Sequence, residues 1–407
     1  MHQTSSSSSS SSLLLQLLLR TRTAAAHFSS SKQPVSRSSE SAPELRELLF
    51  SRQNKMPRKK NGLRRPNVGI AGATGAVGIE MRRCLEERQF PINELALFAH
   101  PDEEGDLVEF AGERYPCEVV GDGAFDGLDI VLFSAGSEFS VEQAPKAAAA
   151  GCIVVDNSAE FRMDPDVPLV VPEVNAHAAA RHKGIIANPN CTTILMNVPV
   201  HPLHKAFGVE RAVVCTYQAA SGAGLDAMSE LEQQARDWAA GKSGDGLTQD
   251  IFGRQYIWNL FCHNSPQYQD NGYNEEEWKM VVETPKIFED DRPRVAVTCV
   301  RVPVLRAHCE SINLQFQNKV GSLDEIYEVL HAAPGIRVVD DRVNNKHPEP
   351  LDASGEFDIL VGRVRWDQSV DEGYGIDMFI AGDQLLKGAA LNAVQIAELL
   401  LEEKAIA

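Results

Sequence analysis

The chain has 407 residues, enough for two domains, and its 43% hydrophobic and 24% charged content is that of an ordinary globular enzyme. Its net charge of −18 hides an asymmetry, because residues 1–66 carry +9 and leave −27 on the rest. A body that acidic excludes nucleic acid as a partner, since a phosphate backbone needs a basic face.

Residues 1–66 are rich in Ser, Ala, Leu and Arg, poor in acid, and include eight consecutive serines at 5–12. That composition predicts an organellar transit peptide. The basic residues follow the apolar run at 13–19 instead of preceding it, which argues against a secretory signal. The run is broken by Gln16 and is far shorter than the ~20 residues of a membrane span, so no membrane partner is expected. The expected compartment is the plastid. The alternatives are the mitochondrion, or the cytosol for a form that begins at Met56.

Folded sequence begins at Asn67. Val68-Gly69-Ile70-Ala71 reads as a strand, residues 79–89 as a helix, and Leu95-Ala96-Leu97-Phe98 as the next strand. Further strands are predicted at 130–133 and 152–155, with an Ala-rich helix at 141–150 between them. Strands alternating with helices predict an α/β, Rossmann-like doubly wound parallel sheet. Its span is 67–192, completed by a C-terminal helix within 383–407. From 193 to 382 the pattern changes to strands at 211–216, 294–302 and 310–317 with a long helix at 223–240, which predicts a second, α+β domain. The eight cysteines form no C-x-x-C pair and most lie in apolar runs, so free thiols are expected, with no disulfide framework and no metal site.

Between the first strand and helix lie Gly72, Thr74, Gly75, Ala76, Val77 and Gly78. Glycines spaced in this way allow a tight turn and let backbone amides approach a dinucleotide pyrophosphate at the helix start. The next strand runs into His100-Pro101-Asp102-Glu103-Glu104-Gly105. Acid there bonds the ribose hydroxyl of NAD, whereas Arg would accept the 2′-phosphate of NADP, so these residues alone point to NAD.

Asn188-Pro189-Asn190-Cys191-Thr192-Thr193 puts a cysteine at a turn where a helix begins. The dipole and free amides of a helix start lower a thiol pKa and hold an oxyanion, so Cys191 is the expected nucleophile. His308 is the candidate proton carrier, with Arg301 and Arg306 nearby implying an anionic substrate. Gln218 ends a strand beside Ala219-Ala220-Ser221-Gly222, a loop small enough for close ligand approach.

Together, Asn190-Cys191-Thr192-Thr193, Tyr217-Gln218-Ala219-Ala220-Ser221-Gly222, Arg301-Val302-Pro303 through His308, and Gly382-Asp383-Gln384 through Asn392 resemble aspartate-semialdehyde dehydrogenases, most closely the plant type. The resemblance implies Cys191 as nucleophile, His308 as acid/base, Gln218 orienting the substrate and Arg301 pairing with its α-carboxylate. It further implies Glu276 for the substrate amine, Lys279 and Arg162 for phosphate with Asn157 assisting, and Thr74 to Val77, Ser221, Gly222 and Asn392 as cofactor contacts. It implies NADP as cofactor, although the basic loop that grips the 2′-phosphate in similar family members is here replaced by acid. The implied reaction reduces L-aspartyl-4-phosphate to the semialdehyde through a Cys191 thioester, releasing inorganic phosphate, in lysine, threonine, methionine and isoleucine biosynthesis. The second domain would then be catalytic and would form a homodimer. The rival readings are an N-acetyl-glutamyl-phosphate reductase and a catalytically idle regulatory paralogue.

Overall fold

The computed structural model describes residues 65–402, so the leader lies outside the described residues. The first sheet contains β1 (Asn67–Ala71), β2 (Glu94–Phe98), β3 (Leu107–Phe110), β4 (Glu113–Glu118), β5 (Ile130–Phe133), β6 (Ile153–Asp156) and β7 (Ile185–Ala187) in the order β3-β4-β2-β1-β5-β6-β7. Helices α1 (Ala76–Glu87) and α2 (Ser137–Ala149) follow β1 and β5. Five of these strands and β4 pair in parallel, but β3 and β4 form an antiparallel hairpin at the edge that the sequence reading did not foresee. Its strands are short and half-exposed, so they lack the apolar run that announces β5.

Strand order reverses between β1 and β5, and ligands in such sheets bind at the carboxyl ends of the strands at that switch point. The glycine loop follows β1 directly at this place.

A long helix, α3 (Cys191–Phe207), connects to the second sheet. It is apolar nearly all round and correspondingly buried, packing on the second sheet and on neighbouring helices. It begins at Cys191. The second sheet comprises β8 (Val209–Gln218), β9 (Phe261–Cys262), β10 (Arg294–Arg301), β11 (His308–Phe316), β12 (Ile336–Val338), β13 (Ile359–Trp366) and β14 (Gly375–Gly382), ordered β12-β13-β14-β11-β8-β10-β9. It is mixed, with β8 parallel to β10 and antiparallel to β11. Helices α4 (Leu225–Ala239), α5 (Glu275–Phe288) and α6 (Leu323–Ala332) accompany these strands.

The chain then returns. A π-helical turn, Leu386–Ala390, leads into α7 (Leu391–Glu402), whose Leu391, Val394, Ile396 and Leu400 join the core of the first sheet. Arg306, expected beside an anionic substrate, instead bridges Glu80 on α1 and Asp383, each at 2.6 Å. Its guanidinium is therefore a tie between the two sheets' regions and not part of the reacting cluster.

The returning segment carries a fully buried cation. Lys387 Nζ pairs with Glu173 and donates to Asn392 Oδ1 at 2.8 Å and Gln395 Oε1 at 2.7 Å. Removing one member of a buried pair strands the other charge, at a cost of about 3–5 kcal/mol. Glu173→Ala is expected to lower unfolding free energy by roughly that amount, measured by denaturant titration. The double change Glu173→Leu with Lys387→Met should recover most of the loss. A loss near zero in the single variant would show that the pair is not buried in solution.

Candidate functional site

The glycine loop is shaped by contacts that only glycine permits. At Gly72, φ is +84° and a Cβ would lie 2.2 Å from the Ser134 carbonyl oxygen; at Gly78 it would lie 2.1 Å from that of Gly72. Helix α1 has Gly75 as its N-cap, with no side-chain cap and no acid in its first turn. Its first amides, including those of Ala76 and Val77, are thus left for an anion. A dinucleotide pyrophosphate fits that cradle. Thr74 Oγ1, however, donates to Glu103 Oε2 at 2.8 Å, so this side chain is committed to the acidic loop.

The second cluster is built around Asn190, the N-cap of α3. Its Oδ1 accepts the N–H groups of Thr192 at 3.1 Å and Thr193 at 3.3 Å. Its Nδ2 donates to Glu276 Oε1 at 3.0 Å, and its backbone N–H donates to Glu283 Oε2 at 2.8 Å. Glu283 Oε1 in turn pairs with Arg162 Nη1 at 3.0 Å, both side chains being buried. Arg162 also donates to the carbonyls of Asn188 and Asn157. Asn157 Oδ1 accepts from Asn188 Nδ2 at 2.8 Å. These bonds fix Cys191 at the first helical position. The cap occupies the Thr192 and Thr193 amides, which were expected to serve an oxyanion. Cys191's own N–H is the amide at this helix start that Asn190 does not take.

The third group comes from the edge of the second sheet. Arg301 and Gln218 are register partners at the ends of β10 and β8, and His308 begins β11 beside them. Ala307 reaches that start with φ +71°, a strained value for a residue with a Cβ. Gln218 Nε2 donates to Glu276 Oε1 at 3.0 Å, while its Oε1 is buried without a protein partner. Arg301 Nη1 donates to the Ala219 carbonyl at 3.1 Å and Nη2 lies 2.7 Å from His263 Nε2. Ala219 N–H donates to His308 Nδ1 at 3.0 Å, so the neutral ring carries its hydrogen on Nε2. That Nε2 is buried and has no protein partner. A Cβ at Gly222 would lie 2.9 Å from it and 3.1 Å from Arg301 Nη1, so glycine keeps both atoms approachable. Gly388 of the π-helical turn does the same for the nucleophile, where a Cβ would come within 2.9 Å of the Cys191 Cβ. Lys279 Nζ lies 3.4 Å from Glu276 Oε2.

Two family profiles match this chain, one described as the semialdehyde dehydrogenase NAD binding domain over residues 67–182 and one as its dimerisation domain over 200–387. The chain belongs to the semialdehyde dehydrogenase family. Among relatives, the aspartate-semialdehyde dehydrogenase of Synechocystis is 50% identical over 335 residues, covering 82% of this chain and 97% of that one. The Bacillus subtilis enzyme of the same name is 41% identical, covering 82% and 96%. Aspartate semialdehyde dehydrogenase II of Vibrio cholerae, in a crystal structure described as complexed with ASA, is 41% identical with a TM-score of 0.80, covering 84% and 99%.

Within the family site the charges divide sharply. Burial alone would raise Glu276, but Lys279, His263 and the hydrogen bonds from Asn190 and Gln218 outweigh it and hold the carboxylate well below its usual range. Burial, then Arg301, push His308 well below the ordinary imidazole value. Burial and the Glu276 charge push the Cys191 thiol up to about 12, against the pull of Arg301, Arg162 and Lys279. The lowered thiol pKa expected from the helix start is therefore not found. Enclosure and a fixed carboxylate outweigh the dipole, and the resting pair is thiol and neutral imidazole.

Two expected cofactor contacts are placed differently. Asn392 is fully buried, with Nδ2 donating to the Val170 carbonyl and Asn188 Oδ1, so it supports Asn188 and offers no group to an open site. Ser221 Oγ is buried and accepts from Gln384 Nε2. Glu283 and Gly388 were missed. Glu283 could have been found, since it lies seven residues after Glu276 on one face of α5. His263 carried no sequence signal. Among the described residues, no group of three His, Cys, Asp or Glu could hold a metal ion.

The raised thiol value predicts a pH response. Thiolate accumulates as pH rises towards the folded pKa, so alkylation by iodoacetamide, followed on the Cys191 peptide, should climb about tenfold per pH unit from pH 6 to 9. A plateau below pH 8 would show that the thiolate is already formed in the free protein.

Proposed function

We propose that the chain is an aspartate-semialdehyde dehydrogenase that reduces L-aspartyl-4-phosphate with NADP(H), working as a homodimer through its second domain. The observation that carries this reading is one juxtaposition. A cysteine at a helix start shares its surroundings with a buried Arg–Gln–His row and with Glu276, Lys279 and Arg162, electrostatically coupled to the thiol. Such a set suits a small substrate bearing a carboxylate, an amine and a phosphate.

In the proposed reaction Arg301 takes the α-carboxylate, Glu276 the amine, and Lys279 and Arg162 the phosphate. Three of Arg162's donors are already engaged, so it acts chiefly by its charge. Cys191 sulfur attacks the acyl carbon and the C–O bond to phosphate breaks. The thiol proton ends formally on the departing phosphate. A thioester remains on Cys191, with the acyl oxygen facing donors that do not need to reorganise. His308 offers Nε2–H to that oxygen, its ring held in this tautomer by the Ala219 amide. Gly72, Gly75, Ala76, Val77 and Gly78 would hold the dinucleotide, which would supply the hydride when bound. The resulting thiohemiacetal expels Cys191 as thiolate, which regains a proton from solvent. The altered contacts at Thr74, Ser221 and Asn392 leave this cradle of backbone amides unchanged.

The product lies on the route to lysine, threonine, methionine and isoleucine, and we assign the chain to that biosynthesis. The composition of residues 1–66 supports a plastid transit peptide and with it the plant type. Residues 1–66 fused to a fluorescent protein are expected to carry it into plastids. Accumulation in mitochondria, or a cytosolic protein starting at Met56, would overturn that assignment.

The deciding assay is phosphate-dependent reduction of NADP by aspartate semialdehyde on purified protein. Cys191→Ser should lose more than about a hundredfold of the rate, because a hydroxyl forms no ready anion and no thioester. His308→Gln should lower kcat by ~10²–10⁴, the usual worth of a positioned proton-bearing group. Activity with the N-acetylglutamate analogue alone would assign the longer acyl phosphate. No turnover of either would identify a non-catalytic paralogue.

A further inference from the structure

We propose that Glu103 makes this enzyme accept NAD about as readily as NADP; the inference rests on the dinucleotide site assigned above and concerns its adenosine end. In sheets of this kind the loop after the second strand faces the adenosine ribose, and the side chain there reads its 2′ position. That loop here is a turn, Pro101–Glu103, following β2. Its three acids are not equivalent. Asp102 is exposed and lies 3.4 Å from His100 Nδ1, and Glu104 is exposed as well. Glu103 is half-buried, and its Oε2 is held at 2.8 Å by Thr74 Oγ1 inside the glycine loop. One carboxylate, and not a diffuse acidic patch, is thus pinned between the first two strand ends.

The loop itself supplies no cation for a 2′-phosphate. Residues 99–113 contain no Lys or Arg. The nearby cation is Arg82 of α1, which donates from Nη1 to the Glu109 carbonyl at 2.8 Å on the hairpin side and keeps a buried Nε without a protein partner. The backbone amides of the turn are partly used within it, Glu103 N–H donating to the His100 carbonyl and Asp102 N–H to the His100 ring. A phosphate dianion at this place meets the carboxylate that Thr74 holds in the loop, whereas a free 2′-hydroxyl finds an acceptor in Glu103 Oε1, the oxygen Thr74 does not take. The sequence alone pointed to Asp102 as readily as to Glu103. The Thr74 bond selects Glu103.

The test compares dissociation constants of NAD and NADP, measured by calorimetry on the full-length protein, for the wild type, Glu103→Gln and Asp102→Asn. Catalytic efficiency with each cofactor is read in parallel. Wild type is expected to bind the two within about tenfold of each other. Glu103→Gln should tighten NADP at least about tenfold and weaken NAD several-fold, while Asp102→Asn should leave the ratio unchanged. Thr74→Ala, which frees the carboxylate without removing it, should move the ratio part of the way. A wild type preferring NADP by about a thousandfold, or a ratio that Glu103→Gln does not move, overturns the inference and leaves the dehydrogenase reading intact. Failure of both dinucleotides to bind wild type overturns that reading and the inference together.

Discussion

Everything reactive in this molecule depends on how Asn190 is held. Its side chain caps α3, its amide nitrogen bonds Glu276, and its backbone N–H bonds Glu283. Both carboxylates come from α5, two turns apart, so one rigid helix grips the residue before the nucleophile at two points. Buried polar groups are costly unless they are bonded, and here each bond made by Asn190 satisfies a group that would otherwise be stranded. The arrangement fixes Cys191 against a sheet edge carrying Arg301, Gln218 and His308, although these elements are far apart in sequence.

The electrostatic state of the resting site follows from the same grip. Glu276 is ionised because Lys279, His263, Asn190 and Gln218 all favour its charge, and that charge opposes ionisation of Cys191. Arg301 and Arg162 work the other way. A substrate amine paired with Glu276 would relieve its opposition to the thiolate, whereas anionic groups on Arg301 and Lys279 would offset their pull. In the free enzyme this balance favours the thiol over the reactive thiolate. The glycines at 222 and 388 keep His308 and Cys191 approachable by leaving out the one carbon that would crowd them.

Much of this was legible in the sequence. Alternating strands and helices showed the first sheet, because buried parallel strands such as β5 are apolar throughout. The β3–β4 hairpin was not legible, since its half-exposed residues carry no such signal. Cys191 stood out through its asparagines, of which Asn190 caps the helix. The opposing effect of Glu276 on the thiol required three dimensions, as did the withdrawal of Arg306 into a bridge between Glu80 and Asp383. Asn392 was named for the cofactor, yet it is buried behind Asn188. A motif identifies which residues belong to a site but not which of them touch the ligand. Glu103 shows the converse, because three adjacent acids look alike in sequence and only one reaches Thr74.

The central claim, that Cys191 carries the acyl group, is tested most directly by mass spectrometry of the protein mixed with aspartate semialdehyde and oxidised cofactor in phosphate-free buffer. Without phosphate to release it, the acyl-enzyme should accumulate as one thioester adduct per chain. Peptide mapping should place it on the segment containing Cys191, and added phosphate should remove it. No adduct, or an adduct on another of the cysteines that phosphate leaves in place, would contradict the account.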